Sequence, residues 1–334
     1  MEAINLFSEE IIKRIKSSQE AKIIQPVLVG KSNHQNELVF FIKPELLDVE
    51  NDEKILNSLL LIQQKFAEYN VEVNGAAIVP GTTLEKHGIM NRHYGFINQL
   101  SREASKMIDS ETKERIFKLL NLDENSQRKI LGGHEFLKAF GTDIKKLSDV
   151  WFGKGAQKLR SGFYCIDTTF DNTPIVLING FHPSQLEHFT REDHTIYLML
   201  LHTDTNWEAL KFDLVGDTFP ERANPGSIRG MLYADPQRYA QKNVGINTNG
   251  VHLSAGPFEA AFEITNFFGP LINLDPTVIP PLVIKQAFVS GFSLEAALGL
   301  LDNPPTNGSD LFSETENLNS LQAVEFAGQR LNKY

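Results

Sequence analysis

A chain of 334 residues, 41% hydrophobic and 22% charged, has globular composition, enough length for a sizeable core and room for about two domains. Its formal net charge of −10 and pI of about 5.4 argue against an extended nucleic-acid-binding face, though not against a local basic pocket. Cys165 is the single cysteine, so no intrachain disulfide can form and a reducing, cytoplasmic setting is expected.

The first eighteen residues carry Glu2, Glu9 and Glu10 among their apolar positions, unlike a signal peptide. No run approaches the roughly 18 apolar residues of a membrane span, so no membrane partner is expected. Residues 7–20 read as an amphipathic helix with Ile11, Ile12 and Ile15 on one face. Residues 37–43 (ELVFFIK) read as a buried strand ending in a lysine, and 52–69 as a helix. Residues 71–79 read as a second strand stopped by Pro80-Gly81. Residues 83–106 read as helix in two pieces, and 107–150 as a charged helical block. Two strands, 163–169 and 174–181, flank Asp171-Asn172 as a hairpin, and 195–202 is another strand. Helices are predicted over 206–213 and 257–268, and the polar stretch 303–316, with Pro304-Pro305 and Asn307-Gly308, reads as loop. Residues 283–301 read as helix packed on a neighbouring surface. The interleaving predicts a mixed sheet with helices packed on it, interrupted by an insertion of about 80–90 residues.

The chemistry concentrates in two segments: Asn224-Pro225-Gly226-Ser227-Ile228-Arg229-Gly230, and Asn249-Gly250-Val251-His252-Leu253-Ser254 followed by Glu263. Neutral imidazole is a good nucleophile near neutral pH, and its phospho-adduct is a high-energy donor. Phosphoryl transfer otherwise asks for placement and charge neutralisation. Arg229 can offer a fork of donors to phosphate, Lys43 a point charge, and Asn249 a donor to a sugar hydroxyl or phosphate. Glu263 can accept from the far ring nitrogen and fix the tautomer. Taken singly each is ordinary: a lone histidine between Val and Leu is more often a hydrogen-bonded core residue, and a Pro-Gly turn before an arginine is a common loop. Their order along the chain is what singles them out. No spacing suggests protein-bound zinc, so no metal ligands are expected.

Lys43-Pro44, Phe96, Gly216-Asp217-Thr218, Pro225-Gly226-Ser227-Ile228-Arg229-Gly230, Asn249-Gly250-Val251-His252 and Glu263 resemble the nucleoside diphosphate kinase family in order and local spacing. The resemblance covers roughly residues 36–100 and 193–268. It implies a ferredoxin-like α/β sandwich with an antiparallel four-stranded sheet, plus an inserted helical and β-hairpin subdomain over 101–192. An N-terminal helical segment, 1–35, and a C-terminal extension, 269–334, flank it. His252 would be the phosphorylated nucleophile, oriented by Glu263 with Ser254. Lys43, Thr218 and Arg229 would bind nucleotide phosphates, Asn249 the sugar, and Phe96 would stack on the base. The implied partners are nucleoside di- and triphosphates, with Mg2+ carried by the nucleotide, no nucleic acid, and assembly as a homo-oligomer.

The chain departs from the family pattern at three places. Phe212, with Lys211 beside it, stands where the family has a second phosphate-binding arginine. Gly88 stands for a tyrosine in the lid, and Leu253 for the glycine after the histidine. The basic run Lys154-Gly155-Ala156-Gln157-Lys158-Leu159-Arg160 could supply the missing cation or be a solvated linker; Arg191 and Lys211 are lesser candidates. Two functional readings therefore lead, a phosphotransferase working through phosphohistidine and a nucleotide-binding regulatory homologue with reduced or lost turnover; the charged helical block 107–150 motivates a third, an interaction protein or a kinase for a non-nucleotide acceptor.

Overall fold

The computed structural model describes residues 5–331 other than 49, 124, 161, 240–243, 246–247 and 308. Glu2 and Gly308, named above, lie outside the described residues. Among the described residues nine strands run in chain order: β1 (Lys22–Gln25), β2 (Asn36–Ile42), β3 (Glu72–Pro80), β4 (Lys129–Gly132), β5 (Gln157–Arg160), β6 (Phe163–Phe170), β7 (Thr173–Ile178), β8 (Thr195–Thr203) and β9 (Val251–Leu253). The chain divides into two compact units, one of residues 1–87 and 191–334, the other of residues 88–190.

The first unit holds a sheet of order β1-β3-β8-β2-β9, antiparallel at every pairing. The helix Asp52–Glu68 links β2 to β3, and the short helices between 207 and 234 link β8 to β9. This is a ferredoxin-like βαββαβ arrangement, with β1 added beyond β3 as a fifth strand. Sequence periodicity anticipates β2, β3 and β8. β1 and the three-residue β9 carry too few residues to show a period.

β2 is buried along its whole length because the sheet is covered on both sides. Leu38, Phe40 and Ile42 enter a core built with Ile11, Ile12 and Ile15 of the helix Glu9–Ser17 and with Ile55, Leu59 and Ile62 of the helix Asp52–Glu68. Phe41 points to the opposite face and meets Phe267 of the helix Pro257–Ile272. Phe258 and Ala261 of that helix in turn pack on Val283, Ile284 and Ala287 of Leu282–Val289 and on Ala323, Val324 and Ala327 of Ser320–Arg330. The expected helix over 283–301 is thus two, Leu282–Val289 and Leu294–Gly299, broken at Gly291 with φ +96°. Within the stretch read as loop, Leu311–Glu314 makes one helical turn.

Glu37 anchors the C-terminal helices to the sheet. Its carboxylate accepts from the Gly30 amide (2.5 Å), the Leu282 amide (2.7 Å) and His202 Nε2 (2.8 Å), all in the interior. The neighbouring Asn36 accepts from the Ser320 amide and donates to Asn319. Among the described residues no helix is long and apolar enough to cross a membrane.

The second unit holds a sheet of order β4-β7-β6-β5, with β4 and β7 parallel and the other pairs antiparallel. The expected hairpin is β6–β7. Its turn places Asp171 and Asn172 at positive φ (46° and 58°), a conformation these two residue types tolerate. His182 opens the helix His182–Thr190 and is fully buried between Gln185 and Asn98. The stretch read as helix in two pieces forms three helices, Gly81–Lys86 in the first unit and Ile89–His93 and Gly95–Met107 in the second. Gly88, just before Ile89–His93, has φ +59°, a left-handed backbone in which most side chains would be strained.

Candidate functional site

β9 pairs with β2 so that His252 lies opposite Phe41 and Val251 opposite Ile42. The two rings stack at 4.5 Å with 17° between their planes. Alternation along the strand sends Val251 and Leu253 to the core on the other face. Leu253 therefore packs among core residues, and its replacement of glycine takes no space on the face that carries His252.

One nitrogen of the imidazole is committed. His252 Nε2 lies 2.8 Å from Glu263 Oε1, and the Ser254 hydroxyl donates to Glu263 Oε2 at 2.5 Å. Ser254 Oγ in turn accepts from the Val39 amide (2.9 Å), and Trp207 Nε1 donates to the Ser254 carbonyl (3.0 Å). Glu263 is fully buried, whereas the His252 side chain keeps 18% exposure. A buried carboxylate accepting from Nε2–H holds the ring in the Nδ1 lone-pair tautomer and stabilises positive charge on it. One turn earlier on the same helix, the Glu259 carboxyl is raised by burial and, secondly, by the charge of Glu263.

Cations gather beside this pair. Lys43 follows β2 two residues after Phe41 with extended backbone, so its side chain leaves on the face of Phe41 and His252. Lys43 Nζ donates to Asn249 Oδ1 (2.7 Å), and Asn249 Nδ2 donates to the Thr218 carbonyl (3.1 Å). The Lys43 amide donates to the Gly250 carbonyl, and the Gly250 amide to Glu45. Arg229 Nη1 donates to the Gly216 carbonyl (2.8 Å) and Nη2 to the Val251 carbonyl (2.9 Å), while its buried Nε has no partner among the described residues. Burial lowers Lys43 to about 8, with Arg229 pushing the same way and Glu45 opposing. Burial also lowers Arg229 to about 10, opposed by Asp217 and Glu45. Two desolvated cations, with a buried donor left over, describe a place that an anion would stabilise.

The turn before Arg229 is built by its own side chains. Asn224 Oδ1 accepts from the Gly226 amide, and the Ser227 hydroxyl accepts from the Gly230 amide as the cap of the helix Ile228–Ala234. A Cβ at Gly230 would lie 2.1 Å from the Asn224 carbonyl oxygen, so the close turn excludes a side chain there.

Seven of the eight residues named from the sequence thus belong to one unit, and hydrogen bonds tie them into two clusters: Lys43, Asn249 and the Thr218 backbone, and His252, Glu263 and Ser254. The Arg229 guanidinium is tied to the Val251 carbonyl beside His252. The Thr218 side chain is exposed. Phe96 belongs to the second unit, where the Arg160 guanidinium covers its ring at 4.4 Å. The run 154–160 ends as β5, whose side chains are mostly exposed. Phe212 is exposed, and Lys211 beside it is ion-paired with Glu316. Arg191 pairs with Asp193 at 2.5 Å. Sequence reasoning missed Phe41 and Trp207. The pairing of ELVFFIK with the Asn-Gly-Val-His segment would have found Phe41 once β9 was recognised as a strand.

No protein-family model matches the chain, and no curated protein matches it. Among solved structures it is similar to a nucleoside diphosphate kinase from Encephalitozoon cuniculi, at 14% identity and a TM-score of 0.35, over 70% of this chain and 89% of that one. Similarity that distant assigns no activity.

Proposed function

We propose that this protein is a phosphotransferase of the nucleoside diphosphate kinase type, acting through a phosphohistidine at His252. The observation that carries the reading is the Ser254–Glu263–His252 chain, which commits Nε2 and prepares Nδ1 as the nucleophile. Nδ1 would attack the γ-phosphorus of a nucleoside triphosphate. The bond from that phosphorus to the bridging oxygen breaks, and the diphosphate leaves with the electron pair. A second nucleoside diphosphate then takes the phosphoryl group from Nδ1 by the reverse steps. Glu263 would balance the charge on the phosphorylated ring. Lys43 and Arg229 would neutralise phosphate oxygens, with the Arg229 Nε donor available to one of them. Asn249 would meet the sugar. Mg2+ would be carried by the nucleotide phosphates and help neutralise them. The test is incubation with γ-labelled ATP and Mg2+. One acid-labile, alkali-stable label per chain, in the peptide containing His252, supports the reading; no label, or label in another peptide, overturns it.

A specific observation favours a second reading, nucleotide binding without efficient turnover. Both Nη groups of Arg229 are spent on main-chain carbonyls, and Lys211 and Arg191 are both paired with carboxylates. No second arginine stands at Phe212. Nucleotide binding by calorimetry without phosphate exchange between nucleotides would select it.

Lys43 gives the anion site a pH signature. With its pKa at about 8, Lys43 is charged at pH 7 and loses its charge as the pH rises through 8. Bound phosphate favours the charged form, so nucleotide affinity should fall between pH 7.5 and pH 9.5, approaching about tenfold per pH unit above 8. Lys43→Arg should flatten that slope, and a flat slope in the wild type would remove Lys43 from the site. Stability runs the other way. The unfolded chain holds this proton up to about 10.5 and the folded chain releases it at about 8, so the cost of burying the charge is relieved as pH rises across that window.

A further inference from the structure

Away from His252, the first unit brings together three metal-ligating side chains from two distant segments. Asp48 follows the helical turn Pro44–Leu47, its amide bonded to the Pro44 carbonyl. Asp193 and His194 lie just before β8, where the His194 carbonyl accepts from the Gly81 amide and its amide donates to the Arg191 carbonyl. His194 is 4% exposed, and its Nε2 sits 3.1 Å from Asp48 Oδ2. One ligand atom from each of the three lies within 4.8 Å of the others. Two ligands at metal–ligand lengths of about 2.1 Å stand about 3.0 Å apart in an octahedral shell and about 3.4 Å apart in a tetrahedral one. The imidazole–carboxylate pair already spans such an edge.

The surroundings are acidic and contain an unsatisfied group. Asp48 and Asp193 open onto a cavity of about 510 Å3, also lined by Glu50, Glu192, Lys16 and Ser18. Lys16, the cation on that wall, is ion-paired with Asp52. Ser18 is 8% exposed, and its buried hydroxyl has no partner among the described residues. An unpaired hydroxyl on the wall of an acidic cavity suits a water of a bound cation. Arg191 does hold Asp193, but both side chains are half exposed, and an exposed ion pair is readily given up.

We infer that Asp48, Asp193 and His194 bind one divalent metal ion of the Zn2+ type, joining the end of the Pro44–Leu47 turn to the start of β8. One imidazole with two carboxylates suits a borderline transition metal better than Mg2+, which prefers oxygen alone and keeps its waters. Sequence spacing hides such a site, because Asp48 comes from a distant part of the chain. The inference is independent of the phosphohistidine reading.

The test uses the full chain, stripped with chelator and free of nucleotide, titrated with Zn2+ by calorimetry and assayed for retained metal after gel filtration. One Zn2+ per chain is expected, with a rise in thermal midpoint. His194 is buried and its replacement could unfold the chain, so the variants are Asp48→Asn and Asp193→Asn, whose side chains are 49% and 58% exposed. Each should lower Zn2+ affinity at least tenfold and abolish the thermal rise, while His252→Ala should bind as the wild type does. A wild type that retains no Zn2+, variants that bind as well as the wild type, or loss of binding in His252→Ala would each overturn the site, as would Mg2+ binding as tightly as Zn2+.

Discussion

Replacing His252 with alanine is expected to abolish the acid-labile phosphate label and to lower nucleotide-to-nucleotide phosphate exchange by at least about a thousandfold, roughly 4 kcal/mol of transition-state stabilisation. Ser254, the neighbouring hydroxyl, is buried and bonded to Glu263, so it does not stand in for the imidazole. The fold should survive, because the His252 side chain is partly exposed and β9 is held by its backbone. Glu263→Gln separates placement from charge. Its amide keeps the shape but can present N–H to Nε2, which favours the wrong tautomer. A rate loss of about 10²–10⁴-fold is expected, on the scale seen when an orienting carboxylate is made an amide. Nucleotide affinity, measured by calorimetry, should change little in either variant, because neither side chain is a phosphate-neutralising cation. Label and exchange that persist in His252→Ala would remove the histidine from the mechanism. A Glu263→Gln variant with unchanged exchange would reduce the Glu263 contact to a packing feature.

Replacing Glu37 with alanine should be the most damaging single change to stability, at about 3–5 kcal/mol. It deletes the acceptor of three buried donors, the Gly30 and Leu282 amides and His202 Nε2. Each orphaned donor costs about 1–3 kcal/mol, and partial relaxation keeps the total below their sum. His202 Nδ1 already has no partner among the described residues, so the imidazole would be left with neither nitrogen satisfied. Urea unfolding should show the midpoint fall with an unchanged slope. Hydrogen exchange should show the largest loss of protection at Leu282–Val289, whose first amide Glu37 holds. A loss under about 1 kcal/mol would mean that water or a rearranged neighbour takes over these bonds.

Glu37 also shows where sequence reading runs out. In ELVFFIK it is a polar residue at the edge of an apolar run, with nothing to distinguish it from a solvated strand end. Its importance comes from Gly30, His202 and Leu282, which the fold brings to it from three separate segments. The same holds for Phe41, whose stacking on His252 needs the register of a three-residue strand too short to carry a periodic signal. The fate of the candidate cations was equally hidden. Lys211 is tied to Glu316 from more than a hundred residues downstream, and Arg191 to Asp193 two residues away.

What the amino-acid order determined by itself was local. The unbroken apolar run made β2 a doubly covered strand, the 3.6-residue spacing made the helix Asp52–Glu68, and the turn chemistry of Asn224, Gly226 and Ser227 set up the bend that presents Arg229. These depend on steric and hydrogen-bonding preferences acting over a few residues, and so they are written in neighbouring letters. Tertiary structure alone decided that Nε2 of His252 is the committed nitrogen, that Leu253 turns away from it, and that Asp48 meets His194. Those outcomes depend on strand register and on burial by remote segments. A shift of one residue in the β2–β9 pairing would send His252 into the core and Leu253 to the site face.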